Sequence, residues 1–284
     1  MAGTEVKLTN RDGSSTAITH FQASEESNTV IVIFPAMGIF ASYYENLGSE
    51  LAKNGFHAIT ADLRGNGKSS IRPSKKVDFG YAGQLDQEYT TVLNHVEAEF
   101  PDKRVLLLGH SLGGQLGCLM ASRKTHKIDG LMLVACCSVY YKGWDGMARI
   151  RTLFGTQFLG LVSSIMGYLP GKQVGFGGLE ARTVIKDWSR QARNGYYVLA
   201  NDLTDYEAEL AKLEIPVMAV SMQGDYLAPA KAVNHLLGKM KGANIEHLHL
   251  KKDDPRNDGY NHFNWAKKPT KLVGVVSEWI TGLN

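Results

Sequence analysis

The most constraining feature of this chain is the stretch RVLLLGHSLGGQLGCLM at residues 104–120. Its apolar run at 105–108 predicts a short buried strand, and the glycine-rich, uncharged residues that follow predict a helix. Between them lies GHSLG at residues 109–113, which fits the pattern G-x-S-x-G. A sharp strand-to-helix turn there would place Ser111 at its apex, with backbone N–H groups of the new helix pointing back at the same spot.

This turn predicts a nucleophile. A serine hydroxyl reacts poorly at neutral pH, so it must be lifted clear of its neighbours and set beside a base. Gly109 and Gly113 fit the turn because side chains two residues before and after the serine would collide in so tight a bend. The five-residue pattern is a weak signal in a chain with 30 glycines. The strand before it and the helix after it make the prediction of Ser111 strong.

Strands and helices alternate on both sides of this stretch. Apolar runs predict the strands, and apolar residues at helical spacing predict the helices. Strands are predicted at 6–9, 17–21, 29–34, 56–61, 105–108, 130–135, 216–221 and 245–250, and helices at 43–51, 85–96, 112–120, 230–241 and 269–281. The first two strands flank a hairpin turn. The rhythm predicts an α/β fold with parallel pairing, in which ligands bind beyond the carboxyl ends of the strands.

The alternation stops between residues 138 and 201, where no strand is clear and apolar residues recur at helical spacing. We expect a helical lid of residues 138–201 that roofs the serine, inserted into a core formed by residues 1–137 and 202–284. Trp144, Phe158 and Trp188 are the candidates for lining a substrate pocket. The alternative is that such side chains form the core of the lid itself.

Composition excludes several classes of protein. The 284 residues have 44% hydrophobic and 21% charged side chains, which is ordinary for one globular domain, and a net charge of +3 argues against a nucleic-acid surface. Three cysteines make no disulfide framework, and the N-terminus has no apolar signal core, so we expect a cytoplasmic protein. The longest apolar stretch, 158–169, is too short to span a membrane. No metal cluster or dinucleotide fingerprint is visible, so no cofactor is expected.

Three motifs make the chain resemble the α/β-hydrolase fold family over essentially its whole length. They are GHSLGG at 109–114, DLRGNGKS at 62–69, where members usually carry D-x-R-G-x-G-x-S, and GDYLAP at 224–229. Residues 170–177 and 187–190 are similar to the lid of predicted bacterial hydrolases grouped with serine aminopeptidase-like (S33-type) proteins. The resemblance implies a mostly parallel eight-stranded sheet flanked by helices, with a helical lid, and a hydrolytic reaction class.

The resemblance also implies the base. The family order is nucleophile, acid, histidine, and among nine histidines His262 alone follows the last strand, in a loop of small and polar residues. The alternative is a structural loop or helix-capping residue. His247 and His249 share one face of the preceding strand, as ordinary strand residues do, and His110 is expected to pack or to hydrogen-bond locally.

Asp225 is implied as the acid that orients this imidazole. It follows the strand at 216–221 and has Pro229 four residues on, the D-x-x-x-P spacing of the family. The alternative is a turn aspartate that caps the next helix. Asp253 and Asp254 are the rival carboxylates.

The oxyanion hole is expected from two backbone N–H groups, that of Leu112 after the nucleophile and that of Met37 after the strand at 29–34. Here Pro35-Ala36-Met37 replaces the family's frequent His-Gly-x. We expect a serine hydrolase that cleaves esters or thioesters of small, apolar, medium-length acyl substrates. An acyltransferase and a non-catalytic ligand-binding protein are the alternatives, while Ser in place of Asp at the elbow argues against a dehalogenase or an epoxide hydrolase.

Overall fold

An eight-stranded sheet forms the centre of the protein in the computed structural model, which describes residues 2–283. A separate pair of short strands lies outside it. In chain order the ten strands are β1 (Thr4–Thr9), β2 (Ser15–Phe21), β3 (Thr29–Phe34), β4 (His57–Ala61), β5 (Arg104–His110), β6 (Gly130–Val134), β7 (Tyr168–Pro170), β8 (Leu179–Ala181), β9 (Pro216–Met222) and β10 (Asn244–Leu250).

The sheet runs in the order β1-β2-β4-β3-β5-β6-β9-β10. β1 and β2 form the expected antiparallel hairpin, and β2 pairs antiparallel with β4. All other pairs are parallel, from β4 through to β10. The predicted α/β-hydrolase fold is therefore confirmed, with the elbow strand β5 near the middle of the sheet.

Helices cover both faces of the sheet. They are α1 (Glu45–Lys53), α2 (Tyr81–Gln84), α3 (Thr90–Glu99), α4 (Leu112–Ser122), α5 (Gly146–Met166), α6 (Gly171–Val174), α7 (Arg182–Asn194), α8 (Tyr206–Ala211), α9 (Ala230–Leu237) and α10 (Thr270–Thr281). A single π-helical stretch, Leu85–Tyr89, joins α2 to α3. The predicted helix at 230–241 ends earlier, at Leu237.

The side chains of the central strands point alternately to the two faces of the sheet and pack in two apolar cores. On β3, Ile31 and Ile33 pack with α1 and α10, whereas Val30, Val32 and Phe34 pack with α3, α4 and α9. Every residue of β3 is buried, because a parallel strand covered on both faces has no solvent side. This double layer fixes the strand ends at which the candidate site lies.

Between β6 and β9 the chain leaves this pattern. The long helix α5 packs against α7, and β7 and β8 pair antiparallel between them. The expectation of no strand between residues 138 and 201 was therefore wrong. Each of these strands is only three residues long, which is too short to produce a readable alternation in the sequence.

Candidate active site

Ser111 lies at the turn between β5 and α4, with φ 51° and ψ −114°. A positive φ is uncommon for a residue with a Cβ, so this turn holds a strained backbone that the surrounding structure must stabilise. The backbone carbonyl of Ser111 accepts hydrogen bonds from the N–H groups of Gly114 and Gln115, at 3.1 and 3.2 Å, which start the helix.

The flanking glycines are required by close approach of backbone atoms. A Cβ on Gly109 would overlap the Cα of Gly114, and a Cβ on Gly113 would overlap the carbonyl oxygen of Phe34. The steric reason expected from the sequence thus applies at both positions. The expectation was that side chains at the two positions would collide with each other. In the structure, a side chain at either position would collide with backbone atoms of another residue.

Asp225 and His262 are paired, although 37 residues separate them. The distance from His262 Nδ1 to Asp225 Oδ2 is 2.8 Å, and both side chains are buried. Because an ionised carboxylate only accepts hydrogen bonds, Nδ1 carries the proton and Nε2 is left as the basic nitrogen. The second oxygen, Oδ1, accepts from the backbone N–H groups of Leu227 and Ala228 at 2.9 and 3.0 Å. One oxygen of Asp225 therefore pairs with the imidazole, and the other stabilises the turn before α9, as the helix-capping alternative predicts.

Asp254, one of the two rival carboxylates, and the histidines of β10 are engaged elsewhere. Asp254 pairs with Arg256 at 2.8 Å, and this pairing lowers the pKa of Asp254 to about 2. His247 and His249 both hydrogen-bond the hydroxyl of Ser221, at 2.8 Å each. The sequence predicts that these two histidines share one face of their strand.

Ser111 and His262 line the same cleft, whose volume is about 440 Å³. Leu112 and Met37 line it as well, and Trp188 contributes to its wall. These residues come from β5, α4, the loop after β3, the loop after β10 and α7. The fold thus brings five of the residues selected from the sequence to one rim of the sheet, and Asp225 lies behind them through its bond to His262.

Two backbone N–H groups are available beside Ser111. Leu112 is the first residue of α4, and the first N–H groups of a helix have no partner within it. Met37 lies in the turn closed by the hydrogen bond from Ile39 N–H to the carbonyl of Ala36, at 3.1 Å. The next residue, Gly38, has φ 72°, and a Cβ there would overlap the backbone nitrogen of Gly178. The 138–201 segment therefore packs directly on this loop.

A second cavity of about 460 Å³ adjoins the cleft. The two share Val139, Phe176, Trp188, Tyr226 and Leu227 as wall residues. Trp144 lines the second cavity and is fixed there, since its indole N–H donates to the backbone carbonyl of Tyr226 at 2.8 Å. Two of the three aromatic pocket candidates, Trp144 and Trp188, thus lie beside the cleft.

Phe158 does not lie with them, and the expectation that it lines the pocket needs correction. Its side chain is 59% exposed and borders neither cavity. The opposite face of α5, which carries Thr156 and Ser163, is the buried one. Helical periodicity located an apolar stripe correctly, but it carries no information about which way the stripe faces.

Comparison with known proteins identifies the family. The family described as serine aminopeptidase, S33, matches residues 25–268, which is most of the chain. This chain belongs to the serine aminopeptidase S33 family. The family resemblance predicted from the sequence motifs is thereby confirmed.

Curated relatives of this S33 family chain are distant. A monoglyceride lipase from Rattus norvegicus is 26% identical over 129 residues, which cover 45% of this chain and 41% of the lipase. A putative non-heme haloperoxidase from Mycobacterium phage D29 is 26% identical over 104 residues, covering 37% of this chain and 34% of that protein. The matched region therefore spans well under half the length of these curated relatives.

Solved structures share the fold of this S33 family chain over almost its whole length. Est1E from Butyrivibrio proteoclasticus, solved with bound ferulic acid, superposes with a TM-score of 0.68 at 16% identity, covering 98% of both chains. The thioesterase domain from the curacin biosynthetic pathway gives a TM-score of 0.59 at 17% identity, covering 96% of this chain and 99% of that domain. At these identities the likeness establishes the α/β-hydrolase fold.

Sequence reasoning missed a buried network behind the elbow of this S33 family chain. The Nδ1 atom of His110 lies 2.7 Å from the hydroxyl of Tyr44, which in turn accepts from the backbone N–H of Ala36 at 3.1 Å. The ring of His110 is 5.1 Å from that of His262. Burial holds the pKa of His110 well below its ordinary value, so it stays neutral. Its hydrogen-bond partner is 66 residues away. The sequence predicts instead that His110 packs or hydrogen-bonds locally.

Asp62, the first residue of the DLRGNGKS motif, also supports the site. Its two oxygens accept from the backbone N–H groups of Ala41 and Lys68, at 2.8 and 2.9 Å. Arg64 of the same motif forms a buried ion pair with Glu88, with its Nε 2.7 Å from Oε2. Both residues hold turns, as the structural interpretation of this motif predicts. Within residues 2–283, no group of three or more His, Cys, Asp or Glu side chains is placed to hold a metal ion.

Proposed function

We propose that this chain is a serine hydrolase that cleaves carboxylic ester or thioester bonds through an acyl-enzyme. The observation that carries the proposal is the pairing of His262 with Asp225 at the cleft that contains Ser111. A nucleophile at a strained turn, a base that lines the same cleft and an acid that orients the base are the three parts that acyl transfer requires. Membership of the S33 family supports the same assignment.

The first half of the reaction forms the acyl-enzyme. His262 Nε2 takes the proton of Ser111 as its oxygen attacks the substrate carbonyl, and Asp225 stabilises the imidazolium that results. The negative charge that develops on the carbonyl oxygen is stabilised by the N–H groups of Met37 and Leu112. The intermediate collapses when Nε2–H protonates the leaving alcohol or thiol.

The second half releases the acid. Water enters the cleft, gives a proton to His262 and attacks the acyl carbon against the same oxyanion donors. The tetrahedral intermediate expels the oxygen of Ser111, which recovers its proton from the imidazolium. An alcohol or amine acceptor in place of water would make the protein an acyltransferase, so product analysis with an added alcohol separates these two activities.

The acyl group is proposed to occupy the cavity beside the cleft. This cavity is lined by Trp144, Leu159 and Phe176, among other residues, and opens to the cleft through shared walls. A site of about 300–1,000 Å³ with mostly apolar walls is typical for a small ligand. Medium-length apolar acyl esters are therefore the proposed substrates, and the name of the monoglyceride lipase among the relatives is in keeping with an ester substrate.

Residues 138–201 are proposed to act as a lid over a core of residues 1–137 and 202–284. Phe176 and Trp188 of this segment line the cleft, and their rings are tilted by 35° with centroids 5.0 Å apart. The segment also packs on Gly38 in the loop that carries Met37. A lid in this position excludes water from the reacting atoms and shapes the acyl site.

The decisive test is Ser111→Ala. This variant is expected to hydrolyse p-nitrophenyl esters about four to six decades more slowly than the wild type, because it lacks the nucleophile. Ser164→Ala, at an exposed position on α5, is the matched control and should keep full activity. A fluorophosphonate probe should label the wild type at Ser111, located by peptide mapping. A Ser111→Ala enzyme that retains most of the rate would disprove the assignment.

A further inference from the structure

Helix α5 carries its large apolar side chains on a face that the rest of the described chain does not cover. Six of them are strongly exposed, from 48% for Ile150 to 75% for Ile165. At 100° per residue they fall within an arc of about 80°, so they form one continuous stripe. The members of this apolar stripe are Met147, Ile150, Phe154, Phe158, Leu161 and Ile165.

The buried residues of α5 are small, whereas an ordinary amphipathic helix buries its large apolar side chains. These buried residues are Thr156 and Ser163, and α5 packs against α7. A Cβ on Gly160 would lie 2.9 Å from Ser189 Oγ, so the two helices approach too closely for larger side chains. Monomeric soluble proteins rarely expose contiguous apolar patches of this kind without a binding role.

Basic side chains lie at both ends of the apolar stripe. Arg149 and Arg151 lie in the first two turns of α5 and are exposed. At the other end, Gly167 ends the helix against Lys75, since a Cβ on Gly167 would lie 3.0 Å from the Cα of Lys75. Lys75 and its neighbour Lys76 are both exposed. Long basic side chains flanking an apolar face suit a lipid surface, where they can reach anionic headgroups.

Acidic side chains hardly offset this charge. Residues 138–201 contain eight Lys and Arg against three Asp and Glu. Glu180 and Asp187 are 4% and 2% exposed, and Asp145 pairs with Lys231. Arg182 pairs with Asp78 and Arg190 pairs with Asp187, so the other six basic side chains give the segment a positive solvent-facing charge. Two copies of this face brought together would place like charges against each other, which disfavours a dimer through α5.

We propose that α5 binds an anionic membrane surface, lying in the plane of the headgroups with its apolar stripe inserted. No helix within residues 2–283 is long and apolar enough to cross a bilayer, so the geometry is that of a helix lying on the surface. The inner side of the same helix contributes Ala148 and Leu159 to the cavity beside the cleft. Docking through α5 thus brings that cavity close to the lipid phase.

Vesicle flotation tests this proposal on the full chain. The wild type should float with vesicles of phosphatidylcholine and phosphatidylglycerol in equal parts, and far less with phosphatidylcholine alone. Phe154→Glu combined with Ile165→Glu should lower binding to the anionic vesicles by about tenfold or more. Leu203→Glu, at a fully exposed apolar side chain outside α5, is the matched control and should bind as the wild type does.

A second variant keeps the test valid if the double substitution disturbs folding. Lys76→Glu alters only a charge at the end of the stripe, and it should weaken binding to anionic vesicles severalfold. Ser111→Ala should float as the wild type does, so membrane binding is measured independently of hydrolysis. Absence of wild-type flotation, or equal flotation of the double variant, would overturn the proposal. A wild-type dimer that the double variant converts to a monomer without vesicle binding would overturn it in favour of self-association.

Discussion

The sheet core and the 138–201 segment use the same kind of helical apolar pattern in opposite ways. In α4 every residue is buried, and its side chains pack between the sheet and neighbouring helices. In α5 the large apolar side chains face outward, and only Thr156 and Ser163 are buried. The core is stabilised by apolar burial on both faces of the sheet, and the segment joins it through side chains such as Trp144, Val184 and Trp188, whereas the outer face of α5 is not covered by the described chain. A periodic pattern therefore shows that a helix has an apolar face, and tertiary packing decides what covers it.

Two buried glutamates, one in each region, have different partners. In the core, Glu88 is paired with the guanidinium of Arg64. In the segment, Glu180 accepts one hydrogen bond, from the backbone N–H of Gly178 at 3.1 Å, and burial raises the pKa of Glu180 to about 7. A buried carboxylate without a cation costs stability when it ionises.

The largest effect is expected in the core, at Asp225. Asp225→Asn should lower kcat by about three to four decades, because the amide favours the wrong imidazole tautomer and cannot stabilise the imidazolium. Asp254→Asn is the matched control, since Asp254 pairs with Arg256 and not with a histidine. Steady-state kinetics with p-nitrophenyl esters measures both. Equal activity of the two variants would remove Asp225 from the mechanism.

The next largest effect is expected on the stability of the fold, where α4 and α5 should differ. Leu116→Ala on α4 removes a fully buried side chain and should lower the free energy of unfolding by about 2–5 kcal/mol. Phe158→Ala on α5 removes an exposed ring and should change it by no more than about 0.5 kcal/mol. Urea denaturation in buffer measures both values. A similar loss in the two variants would show that the outer face of α5 is covered in solution.

Glu180 should give the segment a pH-dependent stability of its own. Its folded pKa is raised to about 7, so the unfolded chain loses this proton first as pH rises. Stability should then fall between about pH 4.5 and pH 7, and be highest below that window. Glu180→Gln should reduce this fall by about 1–3 kcal/mol, as measured by urea denaturation across the window.

The contrasting acid supplies the control for this experiment. Glu88→Gln should destabilise the fold at every pH in the same window, because it removes the buried carboxylate that pairs with Arg64 Nε and leaves only the more exposed Asp12 to pair with that guanidinium. If Glu180→Gln changes stability equally at all pH values, ionisation of Glu180 is not the cause.

The smallest effect is expected on substrate choice. Leu159→Phe fills part of the cavity beside the cleft and should lower kcat/KM for an octanoyl ester relative to an acetyl ester by about tenfold. Leu161→Phe places the same change on the exposed face of α5 and should leave the ratio unaltered. Identical acyl preferences in the two variants would place the acyl group elsewhere.

Much of the fold could be predicted from sequence because local physics determines it. The β-branched run at Thr29–Phe34 and the apolar run of β5 are buried on both faces, which gives a continuous pattern that is easy to read. The strained turn at Ser111 follows from the glycines around it. The pair β7 and β8 was missed because three-residue strands carry almost no periodicity.

The sequence by itself determined the candidates for the chemistry: a hydroxyl at an elbow, an imidazole in a loop of small and polar residues and a carboxylate after a strand. Only the tertiary structure decided which of them meet. Asp225, and not Asp254, lies 2.8 Å from His262, His110 finds Tyr44, and Phe158 faces solvent. These outcomes depend on contacts between distant parts of the chain. No local sequence pattern encodes the direction in which a helix turns its apolar face, because that direction depends on the surface that packs against the helix.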